Sequence, residues 1–311
     1  MTEFLADMMP RFQAMSVGQI LDSTLRMYVR HIPLLAGITA VAFVPYYGAA
    51  ILLLLLARSG EPGLMTLVAV LVSGLGLVLL LFVLSPLSIA ATLVAVSERY
   101  LERRVSIISA FRVALRRFIH VFLAYLLVGV VLAGIVLGGF LLISAVFLLS
   151  SLMGPSARFF FLLFFGTGSG VAMFGGMVAV FVIFSMVVPV VLLEKLNAVQ
   201  AMRRSIELTR GNRIKIFAVF AVLYVVIIVV NVALLAAGMA IFGLEAVENP
   251  IFGQVTQMVG NLISTPLLYT SVVFVYYDLR IRKEAFDLDY LSQSLEEAVQ
   301  GGGGTQPDKR G

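Results

Sequence analysis

Cysteine is absent, and histidine occurs only twice, at His31 and His120. The first absence excludes disulfides, cysteine-ligated zinc and thiol catalysis; the second leaves too few imidazoles for a histidine metal site or for the commonest general base. Charge is scarce as well. Asp, Glu, Lys and Arg make up 13% of the chain, against about a quarter in soluble domains. Six stretches contain none of the four: Ile32–Ala57, Leu64–Ser97, Phe118–Ser150, Phe159–Leu193, Ile216–Gly243 and Val255–Tyr277. A helix needs about 20 apolar residues to cross the hydrocarbon core, so each stretch is a candidate crossing. The second, third and fourth are long yet too short for two passes, which predicts tilt or extension beyond the bilayer. With 61% hydrophobic residues and a mean hydropathy of +1.06, the chain reads as all-α and polytopic, with six transmembrane helices. The first fifteen residues mix Glu3, Asp7 and Arg11 with apolar side chains and lack a signal-peptide pattern, so no cleavage is expected.

The charges that are present are placed unevenly. Of 22 Lys and Arg, only Arg58 and Arg158 fall on one side of the six spans; all the others fall on the opposite side. The positive-inside rule then predicts a multi-pass protein of the cell (inner) membrane with both termini cytoplasmic. It also explains the net charge of +5 without nucleic acid as a partner.

Three short amphipathic segments interrupt the apolar ones on this basic side. Ser16–Arg30 sets Asp22, Arg26 and Arg30 on one stripe at ion-pairing spacing, with Val17, Leu21, Leu25 and Tyr28 turned elsewhere. Ser106–Arg117 has the same design. Glu194–Arg213 opens a helix at Asn197, with Val199, Met202, Ile206 and Thr209 on one face and Gln200, Arg203, Arg204 and Glu207 on the other. Ser16 and Ser106 are 90 positions apart, and Ser106 and Asn197 91. The spacing is compatible with a threefold internal repeat of interfacial helix plus two spans, and equally with the alternating basic loops of any six-span protein. Parallel repeats of this kind differ from the inverted repeats of many carriers. The expected organisation is a cytoplasmic arm with amphipathic helix over 1–31, a membrane domain over 32–277, a cytoplasmic helix over 278–300 and a disordered Gly-rich tail over 301–311.

Within the spans, Pro86, Pro189 and Pro266 are candidate kinks, with Ser85, Ser88 and Thr265 placed to satisfy freed carbonyls. Gly166 to Gly170 forms a small-xxx-small match, suited to close packing inside the bundle or to an oligomer contact. Asn231 and Asn261 are intramembrane polar residues, at depths that would let them bond to each other, with a substrate-lining role as the other reading. His31 and His120 flank span starts, where imidazole is ordinary. Arg112, Arg116, Arg117, Arg203 and Arg204 are the candidates for binding lipid headgroups or a partner; the alternative is that they pair with Glu98, Glu102, Glu194, Glu207 and Asp278. No residues were found to suit a catalytic centre, a cofactor or a metal.

Three blocks, SVGQILDSTLRMYVRHIPLL at 16–35, VLLEKLNAVQAMRRSIELTRGNRIKIF at 191–217 and VYYDLRIRKEAFDLDYL at 275–291, resemble the membrane domain of some bacterial glycerophosphoryl diester phosphodiesterases and related stand-alone membrane proteins. The resemblance marks Asp22 and Arg26, Glu194, Arg204 and Ser205, then Asp278, Arg280, Arg282 and Glu284 as recurrent positions. It implies no hydrolysis here, because a catalytic barrel needs ~250 further residues and a metal-holding cluster. Asp22, Arg26, Glu194, Arg203, Arg204, Glu207, Asp278, Arg280, Arg282 and Glu284 are expected to form a polar collar beneath the headgroups. The reading favoured is a non-enzymatic scaffold or accessory protein that engages anionic lipids, or another membrane or cytoplasmic protein, through its basic face. The other reading is a carrier or channel for a lipid-like or apolar molecule.

Overall fold

The computed structural model describes residues 14–59 and 63–284. Among these there is no strand. The helices are α1 (Val17–Arg30), α2 (Ile32–Ser59), α3 (Leu64–Tyr100), α4 (Ile107–Arg116), α5 (Phe118–Ser150), α6 (Pro155–Phe161), α7 (Thr167–Phe184), α8 (Val187–Leu193), α9 (Ala198–Thr209), α10 (Arg213–Phe242) and α11 (Pro250–Glu284). Six segments are long and apolar enough to cross a membrane: α2, α3, α5, the run Pro155–Leu193, α10 and α11. The last span and the first residues of the expected C-terminal helix form one unbroken helix, α11. The remainder of that helix, the Gly-rich tail, most of the N-terminal arm and the side chain of Arg58 lie outside the described residues.

Span four is not one continuous helix. A π-turn at Leu162–Gly166 joins α6 to α7, and the chain breaks again at Ser185 and Met186 before α8. Pro189 explains the second break: it has no N–H to return to the carbonyl four residues earlier, and it is tolerated only in the first turn of a new helix. The break frees the Ile183 carbonyl, which accepts the Ser205 hydroxyl of α9 at 2.7 Å. Pro45 also lies inside a span, within α2. Of the hydroxyls expected to satisfy the proline kinks, Ser88 does not, since its Oγ is buried without a partner. Thr270 donates instead to the carbonyl of Pro266, at 2.7 Å.

Helix α11 is the axis of the bundle. It packs against α1, α2, α3 and α10, and every residue from Thr270 to Leu279 is buried. The core gathers at the basic end, where the inner faces of α1, α4 and α9 close over the helix ends. Far from that end the spans expose Leu, Val and Phe along most of their outer faces, as a lipid-solvated surface requires. Two sequence readings, close packing inside the bundle at Gly166–Gly170 and a bond between Asn231 and Asn261, are not what this packing uses. Gly166, Gly168 and Gly170 touch nothing a methyl group would meet; the tight approaches are Gly139 against Met173 and Gly176 against Ile135. Asn231 and Asn261 do not bond to each other. Asn231 donates to the Ile227 carbonyl and to Ser264 Oγ, at 2.8 and 3.1 Å, and lies where Gly260 leaves room for its Oδ1. Asn261 donates to the Tyr47 hydroxyl at 2.6 Å.

Candidate lipid-headgroup cleft at the basic end

The three amphipathic segments fold as helices with the same start. Ser16, Ser106 and Asn197 each accept a bond from the backbone N–H three residues on, and Gln19, Ser109 and Gln200 reciprocate, forming three capping boxes. Each helix buries one face: Ile20, Thr24 and Tyr28 on α1, Ala110 and Ala114 on α4, and Ala198, Ala201, Ser205 and Leu208 on α9. For α9 this is not the face that periodicity selected. Val199 and Ile206 are exposed, because small Ala and Ser side chains are what permit close approach to the broken span. Leu25, Val29, Ile108 and Val113 are likewise exposed, so each helix carries apolar side chains away from the core as well as toward it. That is the form of a helix lying in an interface.

Two ion clusters lock this layer to α11. Asp278, whose side chain is 1% exposed, accepts from Met15 N at 2.7 Å, Lys215 Nζ at 2.5 Å and Arg282 Nε at 3.2 Å. Lys215 and Arg282 also donate to the Met15 carbonyl, so the backbone just before α1 is held from both sides. In the second cluster Glu194 accepts from Arg204 Nε at 3.0 Å and from the Tyr276 hydroxyl at 3.1 Å. Arg204 also pairs with Glu284, which takes a bond from Arg280 at 2.9 Å, and it approaches Glu207 at 3.8 Å. Of the residues expected in one collar, Arg204, Glu194, Glu207, Arg280 and Glu284 form one cluster and Asp278 and Arg282 another, and no ion pair among the described residues includes Arg203. Asp22 and Arg26 are in neither cluster; they form a separate exposed pair at 2.5 Å. Lys215, at the heart of one cluster, was missed, because as a single charge beside a span it looks like any other basic-loop residue.

The five arginines proposed from sequence for headgroups or a partner divide by burial. Arg204 is committed to carboxylates, and Arg117 donates to the carbonyl of Lys195 at 3.1 Å, in a turn where Lys195 takes a left-handed φ of 58°. Arg112, Arg116 and Arg203 are exposed.

A different group of cations converges on a cleft of about 650 Å³ between α1, the start of α2, the end of α3 and α11. Arg26, Arg30, His31 and Arg99 face it, with Met27, Tyr100 and Phe274 as apolar walls and Glu102 as the acidic residue among its lining. Tyr100 is fixed by stacking on Tyr277 at 4.6 Å, and Tyr277 by Ser97 Oγ at 2.7 Å. His31 Nδ1 donates to the Met27 carbonyl at 3.0 Å, which leaves Nε2 for another partner. The guanidinium of Arg99 donates to the Val105 carbonyl at 3.4 Å, while its Nε is buried with no partner. A planar fork with an unused buried N–H beside two further guanidinium groups is suited to a tetrahedral oxyanion such as a phosphate ester. Sequence could not assemble this set, because Arg30 and Arg99 come to one cleft only through the packing of α1 and of α3 against α11. No three His, Asp or Glu side chains come together as a metal site among the described residues.

A family model described as a domain of unknown function, DUF7847, matches residues 15–279, which takes in five spans whole, the sixth up to Leu279, and Glu194, Arg204, Glu207, Lys215 and Asp278 of the ion clusters. No curated protein and no solved structure matches the chain.

Proposed function

The chain belongs to the DUF7847 family, and from the geometry of its basic end we propose that it is a non-enzymatic membrane scaffold or accessory protein that binds the phosphate of anionic lipids in the Arg26–Arg30–His31–Arg99 cleft. The observation that carries the reading is the buried, unpartnered Nε of Arg99 in a cleft with amphipathic walls. A phosphate supplies acceptors for such donors, and the Met and aromatic walls suit the glycerol and upper acyl region that accompany a headgroup. The asymmetry of Lys and Arg supports placing this end in the cytoplasm of a bacterial cell, where the inner leaflet is anionic. The resemblance to a phosphodiesterase membrane domain supports the location and adds no chemistry. Arg112, Arg116 and Arg203 would add a diffuse attraction of about 1 kcal/mol each, which salt screens.

The test uses the full chain in nanodiscs of mixed phosphatidylglycerol and phosphatidylcholine, reading lipid retention by native mass spectrometry. Arg30→Gln with Arg99→Gln removes two charge-assisted bonds of about 1.5–3 kcal/mol each and should weaken phosphatidylglycerol retention at least tenfold. The variant carrying Arg112→Gln, Arg116→Gln and Arg203→Gln should lose only the salt-sensitive part. Equal losses in the two variants, or no loss in the first, would sink the proposal.

A further inference from the structure

A second cavity, of about 570 Å³, lies among α2, α3, α5 and α11, in the middle of the spans. Its depth follows from helix rise: along α11, Thr265 stands about 18 Å and Asn261 about 24 Å from Tyr277, inside a hydrocarbon core of about 30 Å. The lining has two properties. It carries no Asp, Glu, Lys, Arg or His. It nevertheless gathers Tyr46, Ser85, Ser88, Gln257, Asn261 and Thr265 on facing helices, where lipid-filled packing would call for aliphatic side chains. Asn261 donates to the Tyr47 hydroxyl at 2.6 Å, which orients its Oδ1 as a free acceptor and the Tyr47 hydroxyl as a free donor. Ser88 is 1% exposed, and its Oγ has no partner. An unpaired hydroxyl in an apolar interior is costly, so a donor left over beside a cavity wall favours an occupant that bonds to it.

We propose that this cavity binds one uncharged lipid-like molecule whose hydroxyl or carbonyl groups meet Ser88, Asn261 and Thr265 while its apolar body lies along the Tyr and Phe walls. Charge is excluded by the lining, since an ion at this depth would have no counter-charge. The volume suits a compact ligand, within the 300–1,000 Å³ range of pre-formed small-molecule sites. The site is independent of the headgroup cleft, from which it is separated by the buried layer of Thr92, Val96, Thr270 and Val273.

The probe is 1,2-dioctanoylglycerol, titrated against the full chain in detergent and read by native mass spectrometry and ligand-induced thermal stabilisation, with the phosphatidic acid of the same chains as the charged control. The expected result is a saturable single site for the neutral lipid. Filling the cavity with Ser85→Phe should abolish it. Ser88→Ala should weaken it about fivefold without lowering the melting temperature of the unliganded protein, because no protein–protein bond is lost and an unpaired buried hydroxyl is removed. The Arg30→Gln, Arg99→Gln variant should bind the neutral lipid as the unmodified chain does, which separates this proposal from the headgroup reading. Absence of saturable binding, equal saturation by the phosphatidic acid in the Arg30→Gln, Arg99→Gln background, or undiminished affinity in both Ser85→Phe and Ser88→Ala would overturn it.

Discussion

Replacing Asp278 by Asn probes the joint that holds the basic layer to the bundle axis. The substitution keeps shape and one carbonyl oxygen, but removes the negative charge and turns one acceptor into a donor. In the intact protein the two carboxylate oxygens take bonds from Met15 N, Lys215 Nζ and Arg282 Nε. Asp278 is 1% exposed and Lys215 only 18%, so solvent cannot replace what is lost. Arg282, at 35%, retains partial hydration. Breaking a buried pair by removing one partner costs about 3–5 kcal/mol, most of it the uncompensated charge left behind, here the Lys215 ammonium. Lys215→Met alone should cost less, because Asp278 keeps Arg282 and Met15 N. The double variant Asp278→Asn, Lys215→Met should recover part of the first loss, giving a coupling of more than about 1 kcal/mol. Reversible unfolding in mixed micelles, followed by circular dichroism, measures all four corners of the cycle. A loss below about 1 kcal/mol for Asp278→Asn, with no coupling to Lys215, would mean that the cluster is hydrated and does not hold the N-terminal backbone, and the reasoning would fail.

Two further outcomes follow from packing and topology. A methyl group at Gly260 would clash with Asn231 Oδ1, so Gly260→Ala should destabilise the α10–α11 contact by about 1–3 kcal/mol, and Asn231→Ala should relieve most of it in the double variant. The melting temperatures of the two single variants and the double variant check this; an undiminished penalty in the double variant would show that the clash is not the cause. The absence of native cysteine makes the chain its own background for accessibility mapping. In intact cells, a membrane-impermeant maleimide should label Ala246→Cys, in the connection between α10 and α11, and spare Arg203→Cys on α9. The reverse pattern would invert the orientation.

Much of the architecture was legible because its signals are one-dimensional. Charge-free runs set the six crossings, and Asn197 announced the start of one amphipathic helix; the structure starts helices of the same design just after Ser16 and Ser106 as well. The capping boxes form within four residues, so no distant contact is needed to specify them. Legibility declined wherever two distant segments share a decision. Periodicity grouped Val199, Met202, Ile206 and Thr209 on one face of α9, because it weighs hydrophobicity; packing buries Thr209 with Ala198, Ala201 and Ser205 and leaves Val199 and Ile206 exposed, because the broken span needs a small and partly polar neighbour. Arg204 was open to either reading, headgroup ligand or partner of Glu194 and Glu207, and it is the second, a strut with Glu194 and Glu284 closing around it. Arg99, which nothing in the sequence singled out, carries a buried Nε without a partner.

Composition, hydropathy and charge asymmetry were thus enough to determine an all-α chain with six apolar helices and a basic end, since solvent partitioning acts on each segment separately. Only the tertiary structure decided which polar side chains satisfy one another and which are left over. That choice depends on helix rotation, on the break before Pro189 and on the approach permitted at Gly260. Because a buried polar group is costly when unpaired, two of the three groups left without partners among the described residues, Arg99 Nε beside the cleft and Ser88 Oγ beside the cavity, are where a ligand has most to offer; the third, Thr24 Oγ1, lines neither.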